Sequence, residues 1–130
     1  MKNYFPNKST STLQKKMLIQ PFFVDQKLKS KKIIKGMGSN YSWSQSDIIK
    51  GIEGDLKKGI KNFLLFLVPK EKQKLPEDFS FHYEVIRNLK QQFQNDITLL
   101  IDTCLCSITP DGHCGISHKK KIDLKQTHYA

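Results

Sequence analysis

The sequence predicts an α/β fold in which apolar strands alternate with amphipathic helices. Three segments, residues 17–24, 60–68 and 97–103, have the apolar composition of short strands. Between them lie two segments, residues 44–58 and 79–93, in which apolar residues recur at helical spacing. Because a helix between two strands lets them run in the same direction, this order indicates βα units with a parallel sheet and right-handed connections.

The first half of the chain contains one strand, one loop and one helix in this prediction. Pro21 weakens the first strand unless it lies where no N–H is needed for pairing. Residues 25–39 are polar and rich in lysine, and they predict a loop. Ser44 or Ser46 is a candidate N-cap for the first helix, and Gly59 is a candidate for its end.

The second half continues the alternation and ends in a further helix. Residues 60–68 are continuously apolar, which is typical of a strand buried on both faces of a parallel sheet. A charged loop with Pro76 leads to the second helix, and Asn95 with Asp96 ends it. Residues 123–130 predict the start of a third helix.

The composition limits the class of protein. The net charge of +10 comes almost wholly from lysine, with Arg87 as the sole arginine. Because DNA-reading proteins use arginine for bidentate contacts, and these lysines are spread along the chain, the charge favours a solvated surface over nucleic-acid binding. No apolar run approaches the roughly 18 residues of a membrane helix, and no signal peptide is visible at the N-terminus. We therefore expect a cytoplasmic protein without a membrane partner.

The third strand runs into a cluster of cysteines. Because side chains alternate along a strand, Asp102, Cys104 and Cys106 are predicted on one face. The segment Thr109–Gly112 has the residues of a turn, which would bring Cys114 back toward the first two thiols. Thiolates favour Zn²⁺, and three of them leave one tetrahedral position open for water or substrate. Buried, unreactive cysteines are the alternative; a disulfide is disfavoured by the odd number of cysteines and the expected reducing compartment.

The segment DTCLCSITPDGHCG, residues 102–115, resembles the zinc-binding segment of the porphobilinogen synthase (delta-aminolevulinic acid dehydratase) family. The resemblance extends to residues 18–24, 59–69 and 86–90 and so covers most of the chain from about Met17. It implies the N-terminal βα units of a (β/α)₈ TIM barrel. Residues 17–130 would form the first three units of this barrel, which is incomplete here, and residues 1–16 an N-terminal arm that is poorly ordered.

The resemblance implies an enzyme that condenses two molecules of 5-aminolevulinate to porphobilinogen, with loss of water, in tetrapyrrole and haem biosynthesis. Cys104, Cys106 and Cys114 would be the Zn²⁺ ligands. Asp102 would orient a bound water or amine, or else pair at the strand end. His113 would be a donor that fixes a ligand, or else a solvated loop residue. The family's two Schiff-base lysines lie on later strands and are absent here, so we do not expect this chain to turn over substrate alone.

Some positions depart from the family pattern. Residues 37–44 read Met-Gly-Ser-Asn-Tyr-Ser-Trp-Ser and lack the usual proline and arginine. The N-terminal arm is short and lacks the arginine-rich stretch. In the family this arm wraps a neighbouring subunit of a homo-octamer, so a homo-oligomer is expected only for a full-length protein.

Two other classes of function remain as alternatives. In a small structural zinc module, His113 or His118 would complete a closed site with the three cysteines, and no reactant could reach the metal. A lysine-rich nucleic-acid-binding protein would bind DNA or RNA with steep salt dependence. His82, His118 and His128 have no potential ligands near them in the sequence, and we predict that they are surface residues.

Overall fold

A computed structural model describes residues 13–118 and 121–129 and contains a five-stranded sheet with the order β2-β3-β1-β4-β5. The strands are β1 (Ile19–Asp25), β2 (Lys32–Ile33), β3 (Tyr41–Trp43), β4 (Asn62–Val68) and β5 (Thr98–Ile101). Helix α1 (Ile48–Lys57) connects β3 to β4, and helix α2 (Ser80–Phe93) connects β4 to β5. A hairpin of β6 (Ser117–His118) and β7 (Lys121–Ile122) follows, and then helix α3 (Leu124–Tyr129).

The three long strands are parallel, as predicted. β1 pairs with β4 from Ile19↔Asn62 to Asp25↔Val68, and β4 pairs with β5 from Asn62↔Thr98 to Leu65↔Ile101. Parallel neighbours require a crossover, and α1 and α2 supply the two crossovers. The α/β class is therefore confirmed, and the carboxyl ends of all three strands lie at one edge of the sheet.

Both helices cover the same face of the sheet. One hydrophobic core joins the following buried side chains of the two helices and two strands: Phe22, Val24, Ile48, Ile52, Phe63, Leu65, Leu67, Phe81, Val85, Leu89 and Phe93. On β4 the buried residues alternate with half-buried ones, Leu64, Phe66 and Val68. The prediction that this strand is buried on both faces is thus wrong, because no helix among residues 13–118 and 121–129 covers the second face. Helices on one side of a parallel sheet are typical of the wall of an α/β barrel.

The loop predicted for residues 25–39 contains a strand that the sequence did not reveal. β2 lies within it and pairs antiparallel with β3. β3 in turn pairs parallel with β1, at Phe23 and Val24. Strands of two or three residues are too short to show an apolar alternation, so they depend on partners distant in sequence. Pro21 was expected to weaken β1 because it has no N–H for strand pairing. It does not pair with β3, so no hydrogen bond to that strand is lost.

Helix α1 begins and ends close to the predicted positions. Asp47 is the N-cap residue, not Ser44 or Ser46, while Ser44 Oγ accepts the Asp47 N–H at 3.1 Å. Gly59 follows the helix with φ +90°, as expected of a glycine at a helix end. Gly51 is required for close packing, because a Cβ there would lie 2.7 Å from Phe22 Cε1 and 2.9 Å from Trp43.

Most of the other strand and helix ends lie within one or two residues of their predicted positions. Met17 lies in a 3₁₀ turn (Lys15–Met17) before β1, and β5 is shorter than its predicted range because it ends at Ile101. Most of the arm predicted for residues 1–16 lies outside the described residues. Within the described part of the chain, no helix combines the length and the apolar character that crossing a membrane requires.

Candidate metal centre

The cysteine cluster lies at the carboxyl end of β5, in a segment we call the cysteine loop (residues 102–116). Asp102 continues the β5 pairing by one hydrogen bond, from its N–H to Leu65 O at 3.0 Å. The chain then enters a 3₁₀ turn, Leu105–Ser107. Leu105 and Ile108 are buried and anchor the loop to the domain.

The sequence predicted the proximity of two cysteines correctly but for the wrong reason. Strand alternation was expected to place Asp102, Cys104 and Cys106 on one face, yet the strand has ended before Cys104. The 3₁₀ turn instead brings the sulfurs of Cys104 and Cys106 to 3.3 Å from each other. A 3₁₀ helix rises only about 2.0 Å per residue, compared with about 3.3 Å in a strand, so residues two apart lie closer together.

Thr109 closes the loop, although its position in the sequence indicates only a turn residue. Its side chain is 4% exposed, and its Oγ1 lies 2.9 Å from His113 O and 3.2 Å from Leu105 O. The predicted turn is present, since the Gly112 N–H donates to Thr109 O at 3.3 Å and Gly112 has φ +69°. The hydroxyl thus connects the two ends of the loop, and Cys114 follows directly after the second end.

The three cysteine sulfurs form one cluster. Cys104, Cys106 and Cys114 have their Sγ atoms within 4.8 Å of one another. Sulfurs bound at about 2.3 Å to a single tetrahedral ion lie roughly 3.8 Å apart, so small side-chain movements bring these atoms to ligand distance. Cys104 and Cys106 are half-buried and Cys114 is exposed. The arrangement could therefore hold a metal ion whose remaining side is open to solvent.

The electrostatics of the cluster make one thiol ionise before the others. The backbone N–H of Cys106 lowers the pKa of the Cys104 thiol most, and hydrogen bonds with the other two thiols lower it further. The hydrogen bond with Cys104, followed by burial, raises the pKa of Cys106 to about 11. The hydrogen bond with Cys104 also raises the pKa of Cys114. Without a cation the cluster thus favours a single thiolate, because adjacent negative charges repel each other.

The two other predicted site residues, Asp102 and His113, differ in their position relative to the cysteines. Asp102 is half-buried and lies close to Cys104. The Cys106 N–H lowers the pKa of Cys104, and the negative charge of Asp102 acts in the opposite direction. His113 is exposed, and its backbone carbonyl contacts Thr109. Among the described residues, the cluster of potential metal ligands comprises the three cysteines without His113. The role of His113 as a donor that fixes a ligand therefore stays a prediction.

His82 is the residue whose predicted location is wrong. It was expected on the surface, but it lies on the inner side of α2, only 8% exposed, with its ring edge-on to Phe79 and Phe81. Burial lowers its pKa, which the charge of Asp78 partly opposes. The apolar spacing of Phe81, Val85 and Leu89 could have shown that position 82 borders the buried face. His118 and His128 are exposed, as predicted.

Comparison with known proteins gives consistent results. The family model described as delta-aminolevulinic acid dehydratase matches residues 5–130. A delta-aminolevulinic acid dehydratase from Methanothermus sociabilis is 34% identical over 121 residues, covering 90% of this chain and 37% of that protein. One from Ruminiclostridium josui is 33% identical over 114 residues, covering 85% of this chain and 55% of that protein.

A solved structure supports the fold. The crystal structure of delta-aminolevulinic acid dehydratase (porphobilinogen synthase) from Toxoplasma gondii ME49, in complex with the reaction product porphobilinogen, has a TM-score of 0.80 and 25% sequence identity to this chain. The match covers 91% of this chain and 35% of that one, so the barrel is partial here. The family model matches nearly the whole chain, and the fold is that of a solved member. The chain therefore belongs to the delta-aminolevulinic acid dehydratase family.

Proposed function

We propose that this chain is the metal-binding part of a zinc-dependent porphobilinogen synthase, in which Cys104, Cys106 and Cys114 bind Zn²⁺. The whole enzyme would condense two molecules of 5-aminolevulinate and remove water to form porphobilinogen. The observation that carries the proposal is the convergence of three sulfurs within 4.8 Å at the carboxyl end of a parallel sheet, where α/β barrels place their active sites.

The donor set fits zinc better than a harder cation. Three thiolates are soft ligands, and Mg²⁺ or Ca²⁺ would require oxygen ligands. The exposed Cys114 leaves one side of the cluster accessible, and no histidine joins the cluster among the described residues. This arrangement favours an open site over the closed site of a structural zinc module. A zinc ion bound there would supply a Lewis acid and one free position for a substrate amine or oxygen.

The residues of the chain would prepare this site before substrate arrives. The Thr109 hydroxyl donates its one proton to His113 O at 2.9 Å and also lies 3.2 Å from Leu105 O, so it holds the loop closed and keeps Cys114 near the other two cysteines. Asp102 lies near the sulfurs and would orient a bound water or amine with its carboxylate. The Cys106 N–H stabilises the first thiolate at Cys104, which favours the initial capture of a cation.

The chain would lack the covalent half of the reaction. A lysine that forms a Schiff base must lose water around its amine so that its pKa falls toward neutrality. Every lysine in the described part of the chain is exposed. We therefore propose that the Schiff-base lysines belong to later barrel strands, and that this chain alone binds metal without turnover. A cytoplasmic location, which keeps thiols reduced, and a homo-oligomeric whole enzyme belong to the same proposal.

The ligand assignment is tested by measuring metal binding in variants that each have one of the three cysteines replaced. We expect the purified chain to bind one Zn²⁺, and we expect Cys104→Ser, Cys106→Ser and Cys114→Ser each to weaken binding by more than about tenfold, because a neutral hydroxyl is a poor zinc ligand. Zinc content by mass spectrometry and competition with a chromophoric chelator measure this. Ser107→Ala, a change beside the cluster, is the matched control and should bind normally. Unchanged binding in all three cysteine variants would reject the proposal.

The openness of the site is tested with Co²⁺ in place of zinc. In an open site, an added amine or 5-aminolevulinate enters the fourth position and shifts the visible absorption bands of the bound Co²⁺. A closed site shows the spectrum of four protein ligands and no shift. The second result would favour the structural zinc module instead.

A further inference from the structure

The charged loop between β4 and α2, residues 69–79, contacts the cysteine loop through two consecutive residues. The Lys72 ammonium donates a hydrogen bond to Ser107 O, and the Gln73 backbone N–H donates one to Ile108 O at 3.0 Å. The two loops follow neighbouring parallel strands, β4 and β5. These hydrogen bonds therefore connect two loops at the carboxyl edge of the sheet.

The two accepting carbonyls lie at the end of the 3₁₀ turn that contains Cys106. The turn spans Leu105–Ser107, and Ile108 is its C-cap residue. The last carbonyls of a helical turn have no partner within the turn, so they need donors from elsewhere. Thr109 connects the cysteine loop to itself, whereas the charged loop supplies donors from outside it.

Gln73 also gives the charged loop a fixed shape. Its side-chain Oε1 accepts the backbone N–H groups of Glu77 and Asp78, both at 2.9 Å, and its Nε2 donates to Asp78 O at 2.8 Å. Gln73 is half-buried, although most of the loop around it is exposed. One side chain thus closes residues 73–78 into a turn, and the same residue directs its backbone N–H at Ile108.

The start of the charged loop is held by the end of β1. The Lys70 N–H donates to Gln26 Oε1 at 2.7 Å, and the Gln26 N–H donates to Val68 O at 3.0 Å. The loop is thus bonded at its start and closed by Gln73 further along. Metal ligands need supporting groups that are themselves held in place, and the charged loop meets this requirement for the turn beside it.

We propose that Lys72 and Gln73 are positioning residues of the metal centre. By binding the two carbonyls at the end of the 3₁₀ turn, they keep the sulfur of Cys106 where it can share one ion with the other two cysteines. The inference rests on the proposed function, because it requires that the cysteines bind Zn²⁺. The connection between the two loops does not require a metal, so it can be measured separately.

Amide hydrogen exchange of the metal-free chain tests the connection. We expect Lys72→Met and Gln73→Ala each to speed the exchange of amides in residues 102–116 by about threefold or more, because the turn loses support from outside. Lys70→Met is the matched control. It removes the same charge from the same loop, but its ammonium lies near Glu71, 4.0 Å from Oε1, and exchange should not change.

Zinc affinity and the absorption spectrum of bound Co²⁺ test the positioning role. Lys72→Met and Gln73→Ala should each weaken Zn²⁺ binding by about tenfold, the usual effect of removing a group that supports a ligand. The visible bands of bound Co²⁺ should shift in both variants, because these bands report the geometry of the ligands. A loss of stability alone would leave the spectrum of the folded chain unchanged. Lys72→Arg keeps a donor and should restore both the affinity and the spectrum.

Each contrary result overturns a stated part of the proposal. Unchanged exchange in both variants would reject the connection between the loops. If the wild-type chain binds Zn²⁺ and both variants keep its affinity and its Co²⁺ bands, the positioning role is wrong and the proposed function stands. A wild-type chain that binds no Zn²⁺ would reject the proposed function and the positioning role together.

Discussion

The helix-facing residues of β4 and the three cysteines of the cysteine loop differ in burial. Phe63 and Leu65 are fully buried beneath α1 and α2, whereas Cys114 is exposed and Cys104 and Cys106 are half-buried. The first region is stabilised by apolar contact over a large area. The second is shaped by a 3₁₀ turn, a β-turn and the hydrogen bonds of one threonine.

This difference indicates that the stability of the chain and the proposed metal binding depend on different residues. Changes in the helix-facing core should lower the free energy of unfolding and leave the sulfurs in place in the chains that remain folded. Changes in the loop should alter the distances between the sulfurs at a smaller cost in stability. The predictions below test this separation in order of decreasing effect.

The largest effect is expected in the core. Leu65→Ala should lower the free energy of unfolding by about 2–5 kcal/mol, because it removes buried methyl groups and leaves a cavity. Leu100→Ala, the same change at an exposed position of β5, should cost about 1 kcal/mol or less. Urea denaturation of the metal-free chains measures both. Equal costs at the two positions would show that the face opposite the helices is as well packed as the core.

An intermediate effect is expected at Thr109. Thr109→Val keeps the shape of the side chain but removes the hydroxyl between Leu105 O and His113 O, so the loop should lose about 1–3 kcal/mol of stabilisation. Because Cys114 is then less well positioned, the affinity for Zn²⁺ should fall by about tenfold or more. Chelator competition measures the affinity. Thr98→Val, at an exposed position of β5, is the control, and an equal loss there would contradict the role of Thr109.

The smallest effect is a change in the dependence of stability on pH. The pKa of His82 is lowered from 6.5 in the folded chain, mainly by burial, with Asp78 acting in the opposite direction. Below pH 6.5 the unfolded chain therefore binds a proton that the folded chain does not, so the free energy of unfolding should fall as the pH decreases through this range.

The His82→Leu variant should lose this part of the pH dependence, and the exposed His118→Gln variant should retain it. Thermal or urea unfolding between about pH 7 and pH 5 measures the slopes. The same slope in wild type and His82→Leu would show that another group is responsible. The proposed binding of Zn²⁺ should also depend on pH. Its affinity should rise with pH, because Cys106 and Cys114 have raised pKa values and must lose their protons to become thiolate ligands.

The sequence alone determined the alternation of strands and helices, the parallel sheet and the family. Apolar runs such as 60–68 and the helical spacing of Ile48, Ile52 and Leu56 are local patterns. Such patterns can be recognised without knowing which distant residues pack against them. The segment from Asp102 to Gly115 likewise contains the three cysteines and the turn between them within one short stretch, so these residues could be identified without coordinates.

Only the tertiary structure decided how those residues are arranged. The cysteines meet because the strand ends at Ile101 and a 3₁₀ turn begins at Leu105, which alternation along a strand could not predict. Thr109 and His82 acquire their significance from their burial, which the sequence alone does not show. The physical reason is that periodicity specifies which face of an element is apolar, whereas hydrogen-bond partners and the covering of a face depend on what packs there.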